Sequence, residues 1–376
     1  MQTLSAWNTG RPLHIGDKLW RVHWPVIITV CILAGVGAAT LYSVSGGSFI
    51  PWAERHTLRF LVMLAVVVIM ATVRLEVWMK LAYPAYAVAL LALALVPLIG
   101  VEALGAKRWI GAGAISFQPS ELMKLALVAA LARYYASLPL EDVRRVRYVA
   151  VPLAMIGIPV LLTLQQPDLG SAALFVTLGL SLMFLAGVPL RIFAIGAVVV
   201  IVALPAIWSG MHGYQKRRIE VFLNPGMDPL GAGYHIMQSK IALGAGGLTG
   251  AGFMHGTQSQ LDFIPEKHTD FIASIIGEEW GFAGMVLLIA IYAALILMMM
   301  TMARRCENRF AQLAIAGSAI TIFVYVFINL AMVTGLVPVV GIPLPFVSYG
   351  GTSMTTLMIG LGIAMSAYVH GRDARH

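Results

Sequence analysis

The chain has 376 residues, 59% of them hydrophobic and only 11% charged, with a mean hydropathy of +0.85, whereas soluble domains carry about 25% charged residues. That composition excludes a soluble fold, which could not cover so much apolar surface. The formal charge of +8 is not the footprint of nucleic-acid binding either, because the Lys and Arg residues fall in short gaps between apolar runs, where they report topology.

The first 23 residues are polar and basic, and no cleavable leader is read there, since the run that follows is long enough to remain as an anchor. Apolar runs then occupy Trp24–Val44, 57–73, 77–100, 120–136, 146–165, 169–188, 190–211, 271–302, 310–335 and 347–370. Most approach the roughly 20 residues that cross a bilayer. They predict an all-α fold, a polytopic membrane bundle of about ten transmembrane helices forming a single integral membrane domain over 1–376. Residues 1–23 and 371–376 are expected to be cytoplasmic, with 212–269 a long extracytoplasmic loop between spans 7 and 8. Fifteen of the 25 Lys and Arg residues collect on the side of the termini, nine lie opposite and Lys124 sits within a span. This asymmetry places both termini in the cytoplasm. Cys31 and Cys306 are far apart and in different surroundings, which makes a disulfide framework unexpected.

Two of the runs contain acidic residues. The 120–136 run is short and contains Glu121 and Lys124, so it is expected inside the bundle rather than facing lipid. The 271–302 run would be about 48 Å long as a helix, beyond a hydrocarbon core of about 30 Å. Its first two turns, with Glu278 and Glu279, are therefore expected to project toward the extracytoplasmic surface. The 212–269 segment joins the basic cluster Lys216, Arg217 and Arg218 to a Gly-rich stretch at 231–256, and its aromatic and apolar content predicts a loop ordered against the bundle. Internal repeats, the usual pointer to a transporter, are not seen.

Several side chains could carry chemistry, each with a structural alternative. Glu121 and Lys124 stand i, i+3 on one helix face and can pair, either as a charged cavity wall or as a tie between helices. Asp168 opens the sixth span, where an N-cap is the simpler role and a carboxylate at the outer mouth the functional one. Lys107, Arg108 and Trp109, with Gln118 and Ser120 close behind, suit phosphate oxygens and a sugar face, or else interfacial anchoring. The Lys216, Arg217 and Arg218 row has the same two readings. Asp270 sits where a polar loop meets an apolar helix, so partial desolvation could tune it as a general base; Thr269 or Asp270 could equally cap that helix, with Glu266 and His268 as solvated neighbours. The segment 337–351, with Pro338, Pro343, Pro345, Gly350 and Gly351, reads as non-helical backbone walling a cavity.

Six motifs resemble one family. They are GAKRWI at 105–110, FQPSELMK at 117–124, QQPDLGSA at 165–172, DPLGAGYHIMQSKIALGAGG at 228–247, HGTQSQLDFIPEKHTDF at 255–271 and GIPLPFVSYGG at 341–351. In order and on one predicted membrane face, they are similar to those of the SEDS (shape, elongation, division and sporulation) proteins. The stretch GTQSQLDFIPE favours the branch serving elongation and rod shape over the division branch. The resemblance implies a peptidoglycan glycosyltransferase of the bacterial inner membrane. Such an enzyme polymerises lipid II, displaces undecaprenyl diphosphate from a lipid-linked glycan with inversion to a β-1,4 bond, and works with a class B penicillin-binding protein, the transpeptidase. It further implies Asp270 as the essential carboxylate and Glu121 and Lys124 as a paired site beside a cavity. Arg108, Gln118 and Asp168 follow as cavity residues, joined by Lys240 and Ser348 from the later motifs, with Arg55, Lys216, Arg217 and Arg218 as candidates for stabilising the diphosphate. Ser116 departs from the pattern, because relatives can carry Arg there. No cofactor or metal-ligand set is evident, although a divalent cation beside the diphosphate stays open. The alternatives are a lipid II flippase using the same cavity and a non-catalytic scaffold for a penicillin-binding protein.

Overall fold

The computed structural model describes residues 14–103, 106–112, 115–166, 168–211, 213–228, 231–261, 263–264 and 266–371. A short helix α1 (Ile15–Arg21) precedes α2 (Trp24–Val44), α3 (Trp52–Thr72) and α4 (Leu75–Ile99). Three strands, β1 (Val101–Ala103), β2 (Ala106–Ala112) and β3 (Ile115–Phe117), lead into α5 (Pro119–Ala136). Then come α6 (Leu140–Val143), α7 (Ala150–Leu164), α8 (Leu169–Leu185), α9 (Leu190–Gly210), α10 (Gly213–Leu223), α11 (Ala232–Ala245) and α12 (Thr257–Gln260). The chain closes with α13 (Ile272–Arg305), α14 (Arg309–Val333) and α15 (Gly351–His370).

All ten apolar runs are helices in this polytopic membrane fold. Among the described residues, α2, α3, α4, α13, α14 and α15 are each long and apolar enough to span a membrane, and α7, α8 and α9 are shorter apolar helices. Helix α5 completes the ten and lies in the interior, as its charges require: α4, α8 and α14 pack around it, and Glu121 and Lys124 are only 7% and 2% exposed. At the periphery, α9 leaves Ile195, Val198, Val199, Val200, Ile201 and Val202 open on every side, as a helix bathed in hydrocarbon can.

Two connections have structure of their own, and one expectation needs correction. The connection 101–117 is a small antiparallel sheet in the order β1-β2-β3, with Glu102 opposite Lys107 and Ile110 opposite Phe117. The long 212–269 loop is about half helical, because α10, α11 and α12 fall within it. Glu278 and Glu279 do not project: they are 1% and 2% exposed. Helix α13 breaks at Gly281, whose φ of 66° lies in the left-handed region that glycine tolerates. The Gly-rich turn after α11 fills the break. Ala251 and Gly252 donate to the Glu278 and Glu279 carbonyls at 2.9 and 3.0 Å, while Phe282 and Ala283 donate back to Gly247 and Leu248 at 2.9 and 3.1 Å. A Cβ on Gly281 would stand 2.3 Å from the Gly250 nitrogen, so the two glycines permit this exchange of hydrogen bonds.

Candidate active site

One end of the bundle gathers most of the polar residues singled out in the sequence. Strand β2 carries Arg108 toward the α7–α8 connection, where its Nε donates to the Gln166 carbonyl at 3.4 Å. Gln166 is itself fixed by donating Nε2 to the Leu93 carbonyl of α4 at 2.7 Å. Asp168 serves as the N-cap of α8, one oxygen accepting the Ser171 N–H at 3.1 Å; its other oxygen accepts from Gln118 Nε2 at 3.4 Å.

Deeper along α5, Lys124 Nζ meets Glu121 Oε1 at 2.6 Å. A third member, Tyr325 of α14, closes the ring: its hydroxyl accepts from Lys124 Nζ at 2.6 Å and donates to the other Glu121 oxygen at 2.8 Å. Both carboxylate oxygens and two of the three ammonium N–H groups are thereby engaged, which is what makes burial of two charges tolerable.

Asp270 lies across the same end, just before α13. The capping role weighed for it fails, because the N-cap position is Phe271 and no side chain caps the helix. The preceding turn puts Glu266 at a φ of 52°, with the Thr269 and Phe271 amides donating to the Glu266 carbonyl at 3.1 and 3.4 Å. This leaves Asp270 one residue short of the helix. Burial, with a smaller contribution from the Glu266 charge, pushes its carboxyl up to about 7. A carboxyl so placed is half-ionised near neutrality, as general-base work requires. Its neighbour His268 is pushed down by desolvation.

The two halves of the site touch through the Pro-rich segment before α15. A Cβ on Gly170, in the first turn of α8, would collide with Val340, and one on Gly341 would lie 3.3 Å from Asp270 Oδ2. Asp168 and Asp270 therefore flank one stretch of backbone, which is non-helical as expected from the sequence.

Other predicted residues lie elsewhere or do other work. Ser348 is buried, and its Oγ accepts the Leu344 N–H at 2.8 Å, holding the Pro-rich segment in shape. Lys240 is exposed on α11, its side chain crossing Gly335. Lys216 lies over the Trp208 ring at 5.9 Å and Arg217 is 3.7 Å from Asp228, so both have partners next to α10. The side chain of Arg218 lies outside the described residues. Arg55 is exposed on the first turn of α3. One turn on, Arg59, which was not singled out, stands over the Tyr349 ring at 5.0 Å. Tyr349 in turn meets Trp52 edge-on at 4.8 Å, and Trp52 stacks on His268 at 4.1 Å. This cluster from three segments sits two residues from Asp270. Among the described residues, no group of three or more His, Cys, Asp and Glu is arranged to hold a metal ion.

With this geometry in place, the likeness to known proteins is informative. Residues 20–373 match the FtsW/RodA/SpoVE family, described as cell cycle protein. The chain belongs to this family. It is 40% identical over 349 residues to the peptidoglycan glycosyltransferase MrdB of Escherichia coli, covering 92% of this chain and 93% of the relative. Among solved structures, it superposes with a TM-score of 0.81 and 31% identity on a chain of a peptidoglycan synthase complex described for its coordination of polymerization and crosslinking, covering 92% and 97% of the two chains. The rod shape determining protein RodA of Thermus thermophilus matches with a TM-score of 0.69 and 27% identity, over 92% and 96%. The SEDS assignment drawn from the six motifs thus holds for nearly the whole chain.

Proposed function

We propose that this SEDS protein joins lipid II units with Asp270 as the general base. The chain is a peptidoglycan glycosyltransferase of the kind that serves elongation. The observation that carries the assignment of the base is a carboxyl without a capping role, desolvated and raised to about 7, beside the polar cluster of Arg108, Gln118 and Asp168. In this reading the Asp270 carboxylate takes the proton of the acceptor 4-hydroxyl as its oxygen attacks the anomeric carbon of the donor. The bond to undecaprenyl diphosphate breaks with its electron pair leaving on the phosphate oxygen. The donor bond is α and the product β, so a single displacement suffices. Arg108 and the basic side chains at this end would stabilise the charge that develops on the diphosphate. The test is polymerisation of labelled lipid II by the purified protein in complex with its partner. Movement of lipid II between leaflets without glycan products would favour a flippase instead.

The Asp270 end is extracytoplasmic in this proposal and both termini are cytoplasmic, supported by the fifteen-to-nine charge asymmetry. In a background lacking Cys31 and Cys306, cysteines placed at 139–143 should be labelled only from the cytoplasm and those in Thr257–Gln260 only from outside. Outside labelling at 139–143 would overturn the ten-span map.

The partner is proposed to be a class B penicillin-binding protein with one membrane span. A groove of about 320 Å³ lies between α11, α13 and α14. It is lined by Leu243, Gly247, Gly277, Gly281, Phe282 and Leu330 among others, and Phe282 is 64% exposed. A cysteine at Phe282 should therefore cross-link to the partner's span in native membranes. Repeated purification without any such protein would count against the pairing.

A further inference from the structure

The segment that presents Asp270 is held by a side chain that the reaction as described does not use. Asn329, fully buried in α14, donates from Nδ2 to the Asp270 carbonyl at 2.8 Å and to the Ile342 carbonyl at 2.7 Å. Two carbonyl oxygens facing one terminal atom require that atom to be the nitrogen. The other end of the amide, Oδ1, is buried and accepts no hydrogen bond among the described residues, so the side chain is oriented by donation. Only an uncharged amide brings two donors on one atom to this depth, since Lys or Arg would bring a charge as well.

The two carbonyls belong to different segments, one preceding α13 and one preceding α15. Between them lies Gly341, with a φ of 75° and with Asp270 Oδ2 only 3.3 Å from where a Cβ would stand. A second tie, the Tyr349 N–H to the His268 carbonyl at 2.9 Å, joins the same segments further out. Tyr325, which closes the Glu121–Lys124 ring, is four residues before Asn329 and so on the same face of α14. One helix face thus carries both the support of the charged pair and the support of the Asp270 segment.

We propose that Asn329 is a positioning residue for glycosyl transfer, clamping the Asp270 and Ile342 carbonyls so that the Asp270 carboxylate stays against Gly341 and largely shielded from bulk water. This rests on the general-base reading. Asn329 touches no reacting atom; it acts through Asp270, so its loss should alter the reaction itself as well as stability.

The test uses the full chain in complex with its partner and compares Asn329→Leu, similar in size but without donors, with wild type at matched amounts of inserted protein. The expected result is a fall in kcat of about 10²-fold from a misplaced base, with KM little changed. The acid limb of the rate profile should also move down by about one pH unit, because a carboxyl released toward water loses the desolvation that raises it. Glu266 and His268 on its own segment, and Tyr349 and Arg59 packed next to His268, are left unaltered by the substitution. A purely structural role would lower stability without moving that limb. Should the Leu variant not accumulate in membranes, the uncharged Asn329→Ala takes its place with the same kcat and acid-limb readouts, and failure of both to insert would assign Asn329 to folding and overturn the proposal. Asp270→Asn is measured alongside. If it retains activity, the general-base reading falls; if it is inactive while Asn329→Leu keeps both kcat and the acid limb, only the positioning role falls.

Discussion

Asp270→Asn is expected to fold, insert and bind its partner, yet to polymerise lipid II about 10² to 10⁴ times more slowly than wild type, the usual contribution of a general base. Asn keeps the size of the side chain and removes only the proton acceptor. Had the carboxylate served as a helix cap, the same change would be nearly silent, since Asn caps as well as Asp and even loss of a cap costs about 1 kcal/mol. The geometry already separates these cases, because Phe271 holds the cap position and the Asp270 side chain is not spent on the helix. The wild-type rate should also fall as pH drops through about 7, where the carboxyl takes up its proton. The measurement is glycan chain formation from labelled lipid II by the complex at matched amounts. Activity of Asp270→Asn within about twofold of wild type, against the loss that a general base predicts, would remove Asp270 from the mechanism and return the flippase and scaffold readings.

The bundle was legible in the sequence because hydrocarbon imposes a length and an apolarity that few other environments demand. The Glu121–Lys124 pair was legible for the same reason, as charge within a span seeks a partner. Helix α3 begins at Trp52 rather than near 57 because the polar first turn, with Glu54, Arg55 and His56, hides the start of an apolar run. The small sheet was not legible: its strands are three to seven residues long, too short for a period to show. Helix α11 was obscured by its glycines. Its place depends on packing, with Ser239 bonded to Ser274 at 2.8 Å and to the Val333 carbonyl at 2.7 Å, partners some 35 and 94 residues away. The capping alternative for Asp270 fails for a local reason, since the left-handed turn at Glu266 shifts the helix start past Asp270. Tyr325 and Asn329 left a usable signal, two polar side chains four apart in an apolar run, which on one helix face point at shared work.

The second large effect is expected at Glu121 and Lys124, because each is the other's counter-charge in the buried interior of the bundle. Neutralising either one, as Glu121→Gln or Lys124→Met, leaves an uncompensated charge in the bundle, for which the typical loss is about 3–5 kcal/mol. Little folded protein, and no polymerisation, should remain. Tyr325 sharpens the expectation, since its hydroxyl both accepts from Lys124 and donates to Glu121. A hydroxyl can reverse those roles. The double swap Glu121→Lys with Lys124→Glu therefore keeps the ring closed and the net charge unchanged, and it should return the protein to the membrane. Activity should recover less, because the swap reverses the order of charge facing Gln118 and Asp168, which a purely structural tie would not register. Membrane abundance and lipid II polymerisation, measured on the same preparations, separate the two roles. Full activity of the swap would make the pair a brace and nothing more, and normal polymerisation by both single variants would exclude it from fold and chemistry alike.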